Sequence, residues 1–271
     1  MDHQILNRSK LFLLVSALLL ISFSCSTVPF SDRKQLILLP KSDMMAMSFN
    51  QYDQFLSENE VVTGMPESRM VKNTGTKISD AVERYMKNNG MSSRLEGYEW
   101  EFNLISEEVP NAWCMPGGKV VFYTGILPYT KDETGLAVVM GHEIAHAIAR
   151  HGNERMSQQL MVQAGGAALS VYLDEKDTEH QELYLAAYGV GTTVGVALPY
   201  SRAHETEADK LGLIFMAMAG YDPAEAVEFW KRMSQSGGAK PPEFLSTHPS
   251  DETRIANLNK FLPEARKYIG K

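Results

Sequence analysis

Apolar and polar positions along the chain sort into a series of helices interrupted once by short strands. Residues 43–57 and 66–89 have the spacing of amphipathic helices, the second with Met70, Val71, Ile78, Ala81, Val82 and Tyr85 at helical intervals. Alternation replaces that period at 98–104. Two further strands are expected at 111–115 and 119–123, around the Pro116-Gly117-Gly118 turn. Between Glu133 and Arg150 the only charged residue is Glu143, so the segment 131–151 predicts a buried helix, with Thr130 as N-cap and Glu133 completing a capping box. Gly152 marks a break, after which Asn153 is placed to cap a helix running into the apolar stretch 169–173. Residues 174–182 form a charged turn, and 183–201 carry no charge at all. With Gly189, Gly191, Gly195 and Pro199, this last stretch reads as a tightly packed helix of a hairpin rather than a membrane span. The order predicts an α+β class, mostly helical, with one small antiparallel sheet.

The N-terminus has a pattern of its own. Arg8 and Lys10 precede an apolar run at 11–23, broken only by Ser16 and Ser22 and too short to span a bilayer core of about 30 Å. Residues 1–24 therefore read as a secretory signal. Ser22 and Ser24 suit ordinary cleavage, but Cys25 at the next position favours lipidation, although Ser22 stands where a lipobox usually has leucine. On this reading residues 25–42 are a lipidated tether and 43–271 a single globular domain. Cys25 and Cys114 are the only cysteines, so a lipid on Cys25 leaves no disulfide framework; the alternative is a Cys25–Cys114 bridge. The formal charge is −7, and no basic patch with interleaved aromatics points to nucleic acid.

The candidate chemistry lies in the helix predicted at 131–151. His142 and His146 are four residues apart, so their rings leave one helical face and both reach a single tetrahedral Zn²⁺. Glu143 is placed to act as a general base toward water. A third ligand must come from elsewhere. His151, five residues past His146, would point roughly 140° away on a continuous helix. Ala149 and Gly152 stand where a metzincin would have glycine and histidine. The better source is the segment 201–209, where Glu205 and Asp209 share a face. Glu205 is then the third zinc ligand, and Asp209 accepts the free N–H of a ligating histidine. His204 and Glu207 face elsewhere and are expected at the surface. Asn111 and Ala112, just before the turn, form a candidate sheet edge for an extended peptide substrate; the alternative is an ordinary hairpin with Trp113 in the core.

Taken together, His142-Glu143-x-x-His146 with Arg150-His151-Gly152, Asn111-Ala112 before Pro116-Gly117-Gly118, Ser201-Arg202 with Glu205-x-x-Ala208-Asp209, and Thr247-His248-Pro249-Ser250 ahead of Arg254-Ile255 resemble the M48 family of zinc metallopeptidases. The resemblance spans about 36–262. It is nearest to bacterial periplasmic, often lipid-anchored members, which are related to a mitochondrial inner-membrane quality-control protease of the family. It implies a zincin-like gluzincin domain with His142, His146 and Glu205 on one zinc and Glu143 as base. It further implies endoproteolysis of misfolded or unassembled envelope proteins, with polypeptide substrates, possible envelope assembly partners and a membrane contact through Cys25. Ser26 after the cysteine favours the outer membrane, facing the periplasm. His248 then has two candidate roles, a latch on the open zinc position or an oxyanion donor, with Arg254 a second candidate donor. The rival functions are a zinc-binding chaperone or scaffold without proteolysis, and a zinc aminopeptidase.

Overall fold

The computed structural model describes residues 25–176, 180–235 and 250–271. The chain enters as a short antiparallel hairpin, β1 (Cys25–Thr27) and β2 (Lys34–Leu36), in the segment expected to be a tether. This hairpin is docked on the domain: Val28 is fully buried and Phe30 packs against Tyr85 and Phe215. Further on, the Leu38 amide donates to Ser157 Oγ at 2.9 Å. An apolar surface that would be wet on a free tether is thereby removed from water, which is what holds the segment down.

Helices α1 (Lys41–Glu58) and α2 (Pro66–Asn88) follow. Pro66 opens α2 at a position where the missing N–H costs nothing, with Glu67 in the first turn and Lys87 in the last, the favourable sense for the helix dipole. Val71, Ile78, Ala81 and Val82 are fully buried, as their spacing predicts. Each of the larger ones contributes about 1.5–3 kcal/mol.

The sheet comprises β3 (Glu101–Ile105), β4 (Ala112–Met115) and β5 (Lys119–Tyr123), in the order β3-β5-β4. It is mixed, not purely antiparallel as expected. The turn at 116–118 makes β4 and β5 an antiparallel pair, but β3 joins the other side of β5 in parallel. The almost wholly buried β5 takes the centre, and β4 is left at an edge. Trp113 on β4 packs edge-on against Tyr52 and Phe55 of α1.

Helices α3 (Leu127–Thr130), α4 (Glu133–Ile148), α5 (His151–Glu175), α6 (Gln181–Thr192), α7 (Leu198–Met218), α8 (Glu225–Ser234) and α9 (Asp251–Ala265) complete the description, with a π-helical turn at Thr193–Ala197 joining α6 to α7. The main core lies between α2, the sheet, α4 and α7. Among the described residues no helix is long and apolar enough to cross a membrane. The stretch 183–201 does lie in a hairpin, since Tyr188 Oη of α6 donates to the Val162 carbonyl of α5 at 2.9 Å. It is not tightly packed, however: Leu183, Tyr184, Val190 and Tyr200 are exposed. Gly189, Gly191 and Gly195 have no neighbour within reach of a Cβ, so they mark no close helix approach there.

Candidate active site

Helix α4 starts two residues later than its capping box predicts. Lys131 turns the chain with a positive φ of 65°, so Thr130 closes α3, its hydroxyl donating to the Leu127 carbonyl. Asp132 is the N-cap and accepts from the Gly135 amide at 2.9 Å. Glu133 faces outward to Lys77 and Tyr221 instead of back to the cap.

Glycine sets the distance between α4 and α7. A Cβ on Gly141 would lie 2.8 Å from the Gly212 carbonyl oxygen, and one on Gly212 would lie 2.9 Å from the His142 backbone nitrogen. This contact brings Glu205, two helical turns before Gly212, beside the two histidines. His146 Nε2 lies 3.1 Å from His142 Nε2 and 3.3 Å from Glu205 Oε1, and His142 Nε2 lies 3.6 Å from Glu205 Oε2. One donor atom from each of the three falls within 4.8 Å of the others, so they form a possible metal site. Two imidazoles and a carboxylate are a zinc donor set with room for a fourth ligand.

The groups behind the site favour that use. His142 Nδ1 is 2.9 Å from Asp209 Oδ1, as the sequence predicts for the carboxylate that orients a ligand. Burial opposes a charge on His142, but its hydrogen bonds to Asp209 and Glu205 outweigh this in the metal-free protein and push its pKa up to about 10. Burial lowers the His146 pKa to about 4, leaving that ring neutral. Asp209 is held below the usual carboxylate range against its own burial, chiefly by Arg254 and by the bond to His142.

Arg254, a candidate oxyanion donor, is buried. Its Nη2 donates to Asp209 Oδ1 at 2.6 Å, its Nη1 is 3.6 Å from Glu205 Oε2, and the guanidinium lies 3.6 Å above the Trp230 ring. It lines the cleft, but with these donors turned to the ligand-side carboxylates. His248 lies outside the described residues. Ser250, which ends that motif, caps α9 by accepting from the Thr253 amide at 3.2 Å.

The donor set lines a cleft of about 910 Å³, together with Glu143, Asn111, Ala112, Trp113 and the apolar or aromatic Val139, Met216, Phe229 and Trp230. Asn111 and Ala112 thus sit where an edge strand meets the metal site. Cys114, on the same strand, is a free thiol whose pKa burial pushes well above its usual value, with the Glu143 charge adding to the effect.

His204 and Glu207, expected at the surface, are both buried. His204 Nε2 meets Glu154 Oε2 at 2.9 Å, and Glu207 Oε2 meets His151 Nε2 at 2.9 Å. His151 is outside the ligand cluster, yet it touches the site: its Nδ1 lies 2.8 Å from His146 Nδ1. The helical-wheel argument assumed one helix through 131–151. The chain actually breaks at Arg150, in the left-handed conformation with φ 58°, so His151 starts α5 and swings back. Arg33, from the docked hairpin, completes the cluster with bonds to Glu154 and Glu207. Helical spacing pairs His151 with Glu154 and His204 with Glu207, but it does not bring the two pairs together or add Arg33 to them.

The family model of peptidase family M48 matches residues 72–262. The chain belongs to peptidase family M48. Its activity class is that of a metalloendopeptidase, the class in which its named relatives fall. A mitochondrial metalloendopeptidase OMA1 of Schizosaccharomyces pombe is 34% identical over 244 residues, which cover 88% of this chain and 67% of that protein. The human mitochondrial metalloendopeptidase OMA1 is 28% identical over 96% of this chain and 51% of its own length. The beta-barrel assembly-enhancing protease of Escherichia coli is 31% identical over 63% of this chain and 36% of its own length. This M48 peptidase thus spans between about a third and two-thirds of these relatives.

Proposed function

We propose that this M48 peptidase is a zinc-dependent endopeptidase of the bacterial cell envelope that cleaves misfolded or unassembled proteins. The observation that carries the metal assignment is the meeting of His142 Nε2, His146 Nε2 and Glu205 in the lining of a cleft that also holds Glu143. The donor set fits zinc, and each histidine has a hydrogen-bonding partner at its remote nitrogen. Zinc, when bound there, supplies a Lewis acid for the scissile carbonyl and lowers the pKa of water to about 7.

The protein's own residues supply the rest. Glu143 follows a ligand directly on α4, takes the proton of the attacking water and returns it to the leaving amine. Asn111, just before the edge strand β4, and Ala112 at its start face the cleft and would meet an extended substrate backbone, a mode of binding that tolerates many sequences. Arg254 holds Asp209, and Asp209 holds His142. Cleavage of an unfolded protein, with and without chelator, tests the reading in wild type beside Glu143→Gln. The expected result is chelator-sensitive cleavage by the wild type and a loss of about 10²–10⁴-fold in the folded, zinc-loaded variant. An active Glu143→Gln, or cleavage indifferent to chelator, would overturn it.

The envelope location rests on the apolar run at 11–23 and on Cys25, with the named bacterial relative as support. We further propose residues 1–24 as a signal peptide, 43–271 as the peptidase domain with the preceding segment 25–42 docked on it, and a lipid on Cys25, facing the periplasm with the outer membrane favoured. Cys25 is the first residue of the docked hairpin, so an anchor there would hold the domain close to the membrane. Substrates would be polypeptides, and envelope assembly factors are the partners this location favours. Membrane fractionation of Cys25→Ala tests the anchor: release to the soluble fraction is expected, and unchanged membrane association would sink it.

A further inference from the structure

The two candidate zinc-binding histidines are supported in different ways. His142 has a carboxylate directly on its remote nitrogen, Asp209 at 2.9 Å. His146 has another imidazole there, with His151 Nδ1 at 2.8 Å from His146 Nδ1. Two like nitrogens at hydrogen-bond distance need one proton between them, so one ring donates and the other accepts.

The next contact decides which. His151 Nε2 lies 2.9 Å from Glu207 Oε2. An ionised carboxylate only accepts, so His151 Nε2 carries the hydrogen and, in the neutral ring, its Nδ1 is bare. His146 Nδ1 must then donate, which leaves His146 Nε2 with a free lone pair directed at His142 Nε2 and Glu205. The tautomer needed for metal binding is thereby set from two residues away.

Glu207 must stay ionised for this to work, and it is almost wholly buried. The compensating charge comes from the N-terminal hairpin. Arg33 Nε donates to Glu207 Oε2 at 2.9 Å, and Ser31 adds a hydroxyl bond to the other carboxylate oxygen. The two terminal nitrogens of Arg33 also grip Glu154, at 2.8 and 2.7 Å. Glu154 accepts from His204, whose ring stacks on His151 with centroids 4.3 Å apart and planes 13° from parallel. Arg33 therefore secures both the acceptor behind His151 and the ring that sets its plane.

We propose that Arg33, Glu207 and His151 form a positioning relay that holds His146 as its Nδ1–H tautomer, making the N-terminal hairpin part of the metal centre. The relay rests on the reading of His142, His146 and Glu205 as zinc ligands. None of its three members needs to touch substrate.

Zinc dissociation constants of the full chain, measured by competition with a chromophoric chelator, provide the test. Arg33→Ala and His151→Phe should each weaken zinc binding by about 10–100-fold, the usual cost of losing an outer partner of a metal ligand. Arg33→Lys, which keeps the charge and loses the fork, should recover part of that loss. Ser157→Ala is the control, because it removes the bond to the Leu38 amide of the same docked segment and leaves the relay intact. Equal zinc affinity in Ser157→Ala and wild type supports the relay; a loss as large as that of Arg33→Ala would assign the effect to docking alone and overturn it. Long-range ¹H–¹⁵N NMR of the zinc-loaded wild type needs no variant, so it decides even if a substitution fails to fold. Hydrogens on His146 Nδ1 and His151 Nε2 are expected, and a hydrogen on His151 Nδ1 would overturn the relay. A wild type that binds no zinc overturns the metal-site reading itself; tight binding with unchanged variants overturns only the relay.

Discussion

Helix α5 contains two contrasting regions. In its first two turns His151, Asn153, Glu154 and Ser157 are all buried, although every one is polar or ionisable. Farther along, Leu160, Met161, Val171 and Tyr172 are exposed, although every one is apolar or aromatic. The usual rule of inside and outside is inverted at both ends of one helix. The start tolerates its polar groups because each has a partner: Glu154 has Arg33 and His204, His151 has Glu207 and His146, and Asn153 donates to the Leu39 carbonyl. Buried charge is acceptable only on those terms. Beyond Ser157 the helix leaves the core and meets mainly α6, whose own Leu183, Tyr184 and Val190 are also exposed. Paired polar chemistry explains the first region. In the second, the fold offers most of the apolar side chains no surface to pack on.

If this contrast is right, the two regions should respond very differently to truncation. Arg33→Ala leaves Glu154 and Glu207 buried without their common cation. It should cost about 3 kcal/mol in urea unfolding, the low end for breaking a buried pair because Arg33 retains some contact with water. A change under about 0.5 kcal/mol would mean that water already solvates the cluster.

The pH dependence of that gap sharpens the point. Burial alone would raise the pKa of Glu154, but its bonds from Arg33 and His204 hold it below the ordinary 4.5. A carboxyl whose folded value is depressed stabilises the fold fully above its unfolded value and loses that contribution as pH falls through the folded one. The difference between wild type and Arg33→Ala should therefore be complete at neutral pH and shrink below about pH 4.5, as the carboxylates that need Arg33 become neutral. Denaturant midpoints across that range check it. A gap that stays constant to low pH would show that Arg33 acts through packing and not through charge.

The smallest effects belong to the far half. Val171→Ser and Tyr172→Ser should each change the unfolding free energy by no more than about 0.5 kcal/mol, because more than half of each residue is in contact with water. A loss of about 2 kcal/mol in either would show those side chains packed in solution and erase the contrast.

The legible parts of the site were those whose geometry one helix determines. His142 and His146, and separately Glu205 and Asp209, are four residues apart, and that spacing alone puts each pair on a common face. The meeting of α4 with α7 was less legible; Gly141 and Gly212 set that contact. His151, which the sequence left off the metal, stays outside the ligand cluster, but its contact with His146 was missed because a helical period extends only as far as the helix does, and this one stops at Arg150. His204 and Glu207 were misplaced for a related reason. A polar side chain pointing away from the metal looks solvated until the partners that cover it are known, and here they come from α5 and from the N-terminal hairpin.

By itself, the sequence determined the helix that carries His142 and His146, the place of Glu143 beside the first of them, the second helix with Glu205 and Asp209 on one face, and the mixture of helices with a few strands. All of these follow from local periods of 3.6 or 2 residues and from the chemistry of individual side chains. Only the tertiary structure decided that β3 joins β5 in parallel, that the expected tether is a docked hairpin, and that Arg33, Glu154, Glu207, His151 and His204 form one buried cluster. Those outcomes depend on which distant surfaces exclude water together and on where a buried charge finds its counter-charge. Neither leaves a periodic trace along the chain, because the partners are brought together by packing across as many as 176 positions of sequence separation.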